Sequence, residues 1–131
     1  MPVAATVPVL QVTDVAASMR WYKDVLGFDG SAFPNEEPYT FALLRRDGSE
    51  LMLQSSHEAP ISLGWAVYIR VTGNQLLDLA AHVRARVPLS REPERMPYCD
   101  VEFTVADPDG HELVLSEQLP DNAAVQSVRE D

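Results

Sequence analysis

Glu50 and Glu112 occupy the same place in two copies of one phrase. Asp47-Gly48-Ser49-Glu50-Leu51-Met52-Leu53 is matched by Asp109-Gly110-His111-Glu112-Leu113-Val114-Leu115, an offset of 62 residues from position 47 to position 109. A pair of carboxylates at equivalent strand starts could serve as rim groups for proton transfer or for a cation; the plainer reading is charge exposed beside a turn. The three histidines are scattered: His57 in a linker, His82 on the polar side of a helix, and His111 just after a turn. Each suits a surface or turn-packing role better than a catalytic one. Cys99 is the sole cysteine and has no obvious base near it in sequence, so it reads as inert. Glu102 shares the strand parity of Thr104 and is a candidate to enter a cavity. Trp65, Tyr68 and Tyr39 can stack on a flat or cationic ligand, or simply fill core.

The elements that carry these residues follow from periodicity. Asp107-Pro108-Asp109-Gly110 is a hairpin turn: Pro108 presets φ, and Gly110 can take the positive φ that closes the loop. Val7 to Val12 reads as a strand. Val15, Met19, Tyr22 and Leu26 then recur at spacings of a helix face, with Asp14 as N-cap and Gly27 as the left-handed stop. Strands follow over 28–33, 39–45 and 50–55. The pattern then starts again with a strand over 65–71. The second helix carries Leu76, Ala80, Val83 and Val87 on one face, and Gly73-Asn74 stands where Asp14 stood. Pro88 to Tyr98 contains three prolines, so any strand there is short, irregular or at an edge. A strand over 100–106 leads into the turn and the final strand.

The chain therefore reads as an α+β protein of two βαβββ modules, about 7–55 and 65–117. A linker over 56–64 joins them, and a tail over 119–131 is expected to be mobile or ordered by a partner. Within a single domain of 131 residues, the modules are expected to cover each other's edges and form a cup-shaped mixed sheet with the helices outside.

Composition narrows the function classes. A formal net charge of −10 argues against nucleic acid and anionic membranes, which need clustered Lys and Arg. It tolerates a cationic ligand. No run approaches the roughly 20 apolar residues of a membrane span. The N-terminus lacks a secretory pattern and one cysteine forms no internal disulfide, so a cytoplasmic location is expected.

Asp14-Val15, Trp21-Tyr22 and Val25-Leu26-Gly27-Phe28, followed by Asp107-Pro108-Asp109-Gly110, resemble the vicinal oxygen chelate superfamily. That group includes glyoxalase I, extradiol dioxygenases, and fosfomycin and bleomycin resistance proteins. The resemblance spans roughly Val7 to Glu117 and implies paired βαβββ modules, a ligand cavity and a homodimer. In catalytic members it implies metal ligands at the start of each module's first strand and within its last strand. Here those positions fall on Val7, on Trp65 or Ala66, on Met52 or Gln54, and on Val114. None is a His, Asp or Glu, so no metal and no cofactor is expected.

Strand alternation places Val7, Val9 and Gln11 on the cavity side, with Leu10 and Val12 against a helix. Ala66, Tyr68 and Arg70 share that side, as do Glu112, Val114 and Ser116. The expected ligand-binding set is Gln11, Tyr39, Met52, Gln54, Trp65, Tyr68, Arg70, Glu102 and Ser116, with no catalytic residue assigned. The resemblance is nearest the bleomycin resistance branch, and implies a homodimer that sequesters a drug or metabolite, with a cationic aromatic compound fitting the acidity. Two alternatives stand beside it. One is a metal-dependent lyase, isomerase or dioxygenase with unusual ligands such as His57, Gln54, Glu102 or Glu50. The other is a non-enzymatic dimerisation or regulatory module.

Overall fold

The computed structural model describes residues 1–56 and 66–120 and the backbone of 126–127. The chain divides into two compact units, Met1–Leu63 and Gly64–Asp131. Each contains a strand, a helix and three further strands in that order, so the α+β architecture of two βαβββ modules is present.

In the first unit, β1 (Val9–Val12) leads into α1 (Val15–Leu26), followed by β2 (Asp29–Phe33), β3 (Phe41–Arg46) and β4 (Ser49–Ser55). The sheet order is β1-β4-β3-β2, with β1 parallel to β4 and the other pairs antiparallel. One parity of each strand is buried: Leu10 and Val12, Ala42 and Leu44, Leu51 and Leu53. These residues lie under α1, which contributes Val15, Tyr22, Val25 and Leu26. Met19, expected on that face, is only half-buried, and Ser18 and Val25 take the buried positions beside Tyr22. Tyr22 is fully buried and meets Trp21 and Phe28 edge-on, as aromatic quadrupoles prefer.

Both ends of α1 are closed. Asp14 accepts a hydrogen bond from the Ala17 N–H at 3.1 Å. Gly27 takes φ 71° and its N–H donates to the Lys23 carbonyl. Arg46, reaching over from β3, donates to the Leu26 carbonyl at 2.6 Å. Asp14→Ala is expected to lower stability by about 1 kcal/mol in urea unfolding. No measurable change would show that the cap is replaced by water at no cost.

The second unit contains β5 (Ala66–Arg70), α2 (Leu76–Arg84), β6 (Arg91–Arg95), β7 (Asp100–Ala106), β8 (Glu112–Gln118) and a short β9 (Gln126–Ser127). Its sheet order is β5-β8-β7-β6-β9. Val101, Phe103, Val105, Leu113 and Leu115 form the buried side, with Leu76, Ala80 and Val83 of α2. Val87 lies beyond the helix end and is half-buried, so the expected fourth helix contact is absent from α2. β6 pairs with β7 through a register shift between Arg91 and Glu94, around Pro93. The chain after Pro120 is not wholly a free tail, since Gln126–Ser127 adds a parallel pair to β6.

The start of α2 departs from the sequence reading. Its N-cap, Gln75, makes no side-chain cap. Gly73 and Asn74 provide only the turn, with φ 81° and 58°. The cap is Glu117 of β8, whose carboxylate accepts from the N–H groups of Asn74 (2.7 Å), Gln75 (2.9 Å) and Leu76 (3.0 Å). Among the described residues, no helix is long and apolar enough to cross a membrane.

Candidate functional site

Each sheet has one face packed on its helix and one that is free of it. In the first unit, strand register aligns Val9, Met52, Leu43 and Ser31 in one row of the helix-free face. Gln11, Gln54, Phe41 and Phe33 form the next. Gln11, Met52 and Gln54 are therefore together, as expected. Tyr39 is not with them, because β3 begins at Phe41 rather than at residue 39. Phe41 takes the place opposite Gln54, and its ring lies 6.2 Å from that of Phe33. Tyr39 instead borders a cavity of about 490 Å³ beside the start of α1, between Thr13–Ala16 and Glu37–Tyr39. Glu50 is ion-paired with Arg45 at 3.4 Å, which gives it a partner beside the turn that joins β3 and β4.

The helix-free face of the second unit is the more structured of the two. One row runs Arg70, Ser116, Glu102 and Glu94, and the next Tyr68, Val114, Thr104 and Arg91. The expected residues Tyr68, Arg70, Glu102 and Ser116 thus lie on three adjacent strands. Arg70 forms an ion pair with Asp100 and donates to the Ser116 hydroxyl at 3.3 Å. Glu102 is only 3% exposed, and its Oε2 accepts a hydrogen bond from the Tyr98 hydroxyl at 2.6 Å. Desolvation of the hydroxyl, then its interactions with Glu102 and Tyr68, push the Tyr98 phenol well above the usual tyrosine range. It therefore stays protonated, and stays a donor to Glu102, across the whole neutral range.

Tyr98 and Asp100 carry no sequence signal as site residues. Their placement depends on the turn after β6, where the Cys99 N–H donates to the Met96 carbonyl and Cys99 takes φ 77°. Cys99 itself is exposed. His82 is exposed on α2. His111 belongs to the hairpin turn, with its N–H on the Asp107 carboxylate at 2.8 Å. Glu112 is exposed between Ala66 and Ala106. Trp65 and His57 lie outside the described residues.

Among the described residues, the positions expected for metal ligands do not supply a catalytic metal's donor set. Val7 precedes β1 and is half-buried, Ala66 begins β5, Met52 sits among Val9 and Leu43, and Val114 among Tyr68 and Thr104. Aliphatic carbons offer no lone pair, and a thioether is a poor ligand for the hard or borderline ions that activate oxygen substrates. Among the described residues, no group of three or more His, Cys, Asp or Glu could hold a metal ion.

Comparison with known proteins gives one family. Residues 5–115 match the family model described as Glyoxalase/Bleomycin resistance protein/Dioxygenase superfamily. No curated protein matches the sequence. Among solved structures, a glyoxalase-related enzyme from Clostridium phytofermentans is 15% identical, with a TM-score of 0.73 over 91% of this chain and 98% of that one. A glyoxalase/bleomycin resistance protein/dioxygenase from Nocardioides is 19% identical, with a TM-score of 0.70 over 96% and 89%. A lactoylglutathione lyase from Agrobacterium tumefaciens is 16% identical, with a TM-score of 0.66 over 88% and 95%. At such identities the likeness is one of fold.

Proposed function

This chain belongs to the Glyoxalase/Bleomycin resistance protein/Dioxygenase superfamily, and on that footing we propose that it binds a small organic molecule without a metal. The observation that carries the reading is the row of Tyr68, Val114 and Thr104 beside that of Arg70, Ser116 and Glu102. A last-strand position suited to a metal-binding carboxylate is held by valine. Polar and aromatic groups surround it, as in ligand sites where a few placed hydrogen-bonding groups fix orientation on an apolar floor. No bond need be made or broken. A protein acting this way protects stoichiometrically, by sequestering a drug or metabolite, and its homodimer forms part of the same proposal.

A thermal-shift titration tests it directly. Chelator-treated protein is titrated with Zn²⁺, Ni²⁺, Co²⁺, Mn²⁺ and Fe²⁺. A specific site at a hundred times its dissociation constant adds about 2.7 kcal/mol, enough to raise the melting midpoint by several degrees. The expected result is no saturable shift with any of the five. A saturable shift with one or two of them would overturn the reading and favour metal-dependent lyase or dioxygenase chemistry.

A further inference from the structure

We propose that Glu102 is the anchor for a cationic group, and that the ligand of the second unit's helix-free face carries one protonated amine beside a flat apolar body. The inference rests on the ligand-binding reading of the same face and names the ligand's chemical class.

Three observations carry it. First, Glu102 is buried to 3% exposure, and the described residues satisfy one of its two oxygens. Tyr98 occupies Oε2 at 2.6 Å, while Oε1 has no hydrogen-bond partner among the described residues. No buried side-chain oxygen or nitrogen among them is both sealed from solvent and unpaired, so the described residues leave Oε1 in reach of solvent. Second, the charges around it are matched. Arg70 is paired with Asp100, and Arg91 with Glu94 at 3.5 Å. Glu94 is the register partner of Glu102 on the neighbouring strand. With these pairs formed, Glu102 is the buried carboxylate on this face with no ion pair among the described residues; Glu112, on the same face, is exposed to water. Third, Tyr98 and Tyr68 are 55% and 53% exposed; Tyr98 is bonded to Glu102, and Tyr68 stands in the neighbouring row of the same face.

The chemistry of the carboxylate selects the ligand. A neutral N–H or O–H donor would satisfy Oε1 but leave a desolvated negative charge uncompensated. An ammonium group does both, through a charge-assisted hydrogen bond that is roughly twice as strong as a neutral one. The exposed phenol rings add a surface on which a flat body can stack and to which a cation is attracted. One open oxygen and one unmatched charge call for a single cationic centre. Tyr98 stays protonated, so it holds Oε2 and leaves Oε1 to the ligand.

The test uses the full chain and three probes of one shape: tryptamine (cationic), tryptophol (neutral) and indole-3-acetate (anionic). Binding is measured by titration calorimetry at neutral pH, without added metal. Tryptamine is expected to bind about tenfold or more tighter than tryptophol, and indole-3-acetate more weakly still. Glu102→Gln is expected to weaken tryptamine about tenfold while leaving tryptophol unchanged. Equal binding of tryptamine and tryptophol to the unmodified chain overturns the proposal, and that comparison does not depend on the variant's folding. So does an unaltered tryptamine affinity in a folded Glu102→Gln, or no tryptamine binding at millimolar concentration. Binding of all three probes that ignores Glu102 defeats the anchor but leaves the ligand-binding reading standing. Tryptamine binding that appears only with added metal defeats both.

Discussion

Glu117→Ala is expected to lower the unfolding free energy by about 3–5 kcal/mol, because it strips three backbone donors of their acceptor at once. Glu117 is buried, and its two carboxylate oxygens take the N–H groups of Asn74, Gln75 and Leu76. These are donors at the start of α2, which have no partner within the helix. Gln75 supplies no cap of its own, so nothing nearby replaces the lost carboxylate. The negative charge also sits at the positive end of the helix dipole. Glu117→Gln retains one carbonyl oxygen and is expected to recover about half the loss. Urea unfolding of the three proteins measures both. A loss below about 1 kcal/mol for alanine would show that water reaches these donors and that the cap is not structural.

Gly30→Ala is expected to cost about 3 kcal/mol, the upper part of the range for overpacking, through steric contact alone. An ideal Cβ at Gly30 would fall 1.7 Å from the Leu43 carbonyl oxygen and 2.8 Å from its carbonyl carbon. Both are backbone atoms, so no side chain can rotate aside. Relief requires β2 to move off β3, against a ladder in which Gly30 is registered with Leu44. Gly48 is the control. A Cβ there meets nothing within 4 Å. Gly48→Ala is expected to change stability by less than about 0.5 kcal/mol, as surface substitutions do. Similar melting midpoints for the two variants would mean that β2 is free to shift, and the steric argument would be lost.

These two glycines show where the sequence stops being informative. Each follows an aspartate, in Asp29-Gly30 and Asp47-Gly48, a pair common in turns, yet the first lies within the strand read over 28–33. At Asp47-Gly48 the turn exists, between β3 and β4. At Asp29-Gly30 the chain is already in β2, and glycine is there because a neighbouring carbonyl leaves no room. The clash is a property of β3, which the local sequence does not describe.

The candidate site divides the same way. Alternation along β5, β7 and β8 correctly put Tyr68, Arg70, Ser116 and Glu102 on one face, since successive side chains in a strand point to opposite sides. Tyr39 misses the sheet because strand ends are set by pairing, and β3 pairs with β4 only from Phe41 onward. Tyr98 was unforeseen because its hydroxyl reaches Glu102 only through the turn that Cys99 makes at φ 77°.

By itself, the sequence determined the two βαβββ modules, the span and caps of α1 from Asp14 to Gly27, and the hairpin at Asp107–Gly110. It also revealed the resemblance to the superfamily that residues 5–115 match. All of these rest on periodicity and torsional preference, which operate within a few residues. Only the tertiary structure decided that Glu117 caps a helix 41 residues before it, that Arg46 closes the end of α1, and that the Tyr98 hydroxyl reaches Glu102. Each of those depends on which polar groups the register of distant strands brings within hydrogen-bond reach.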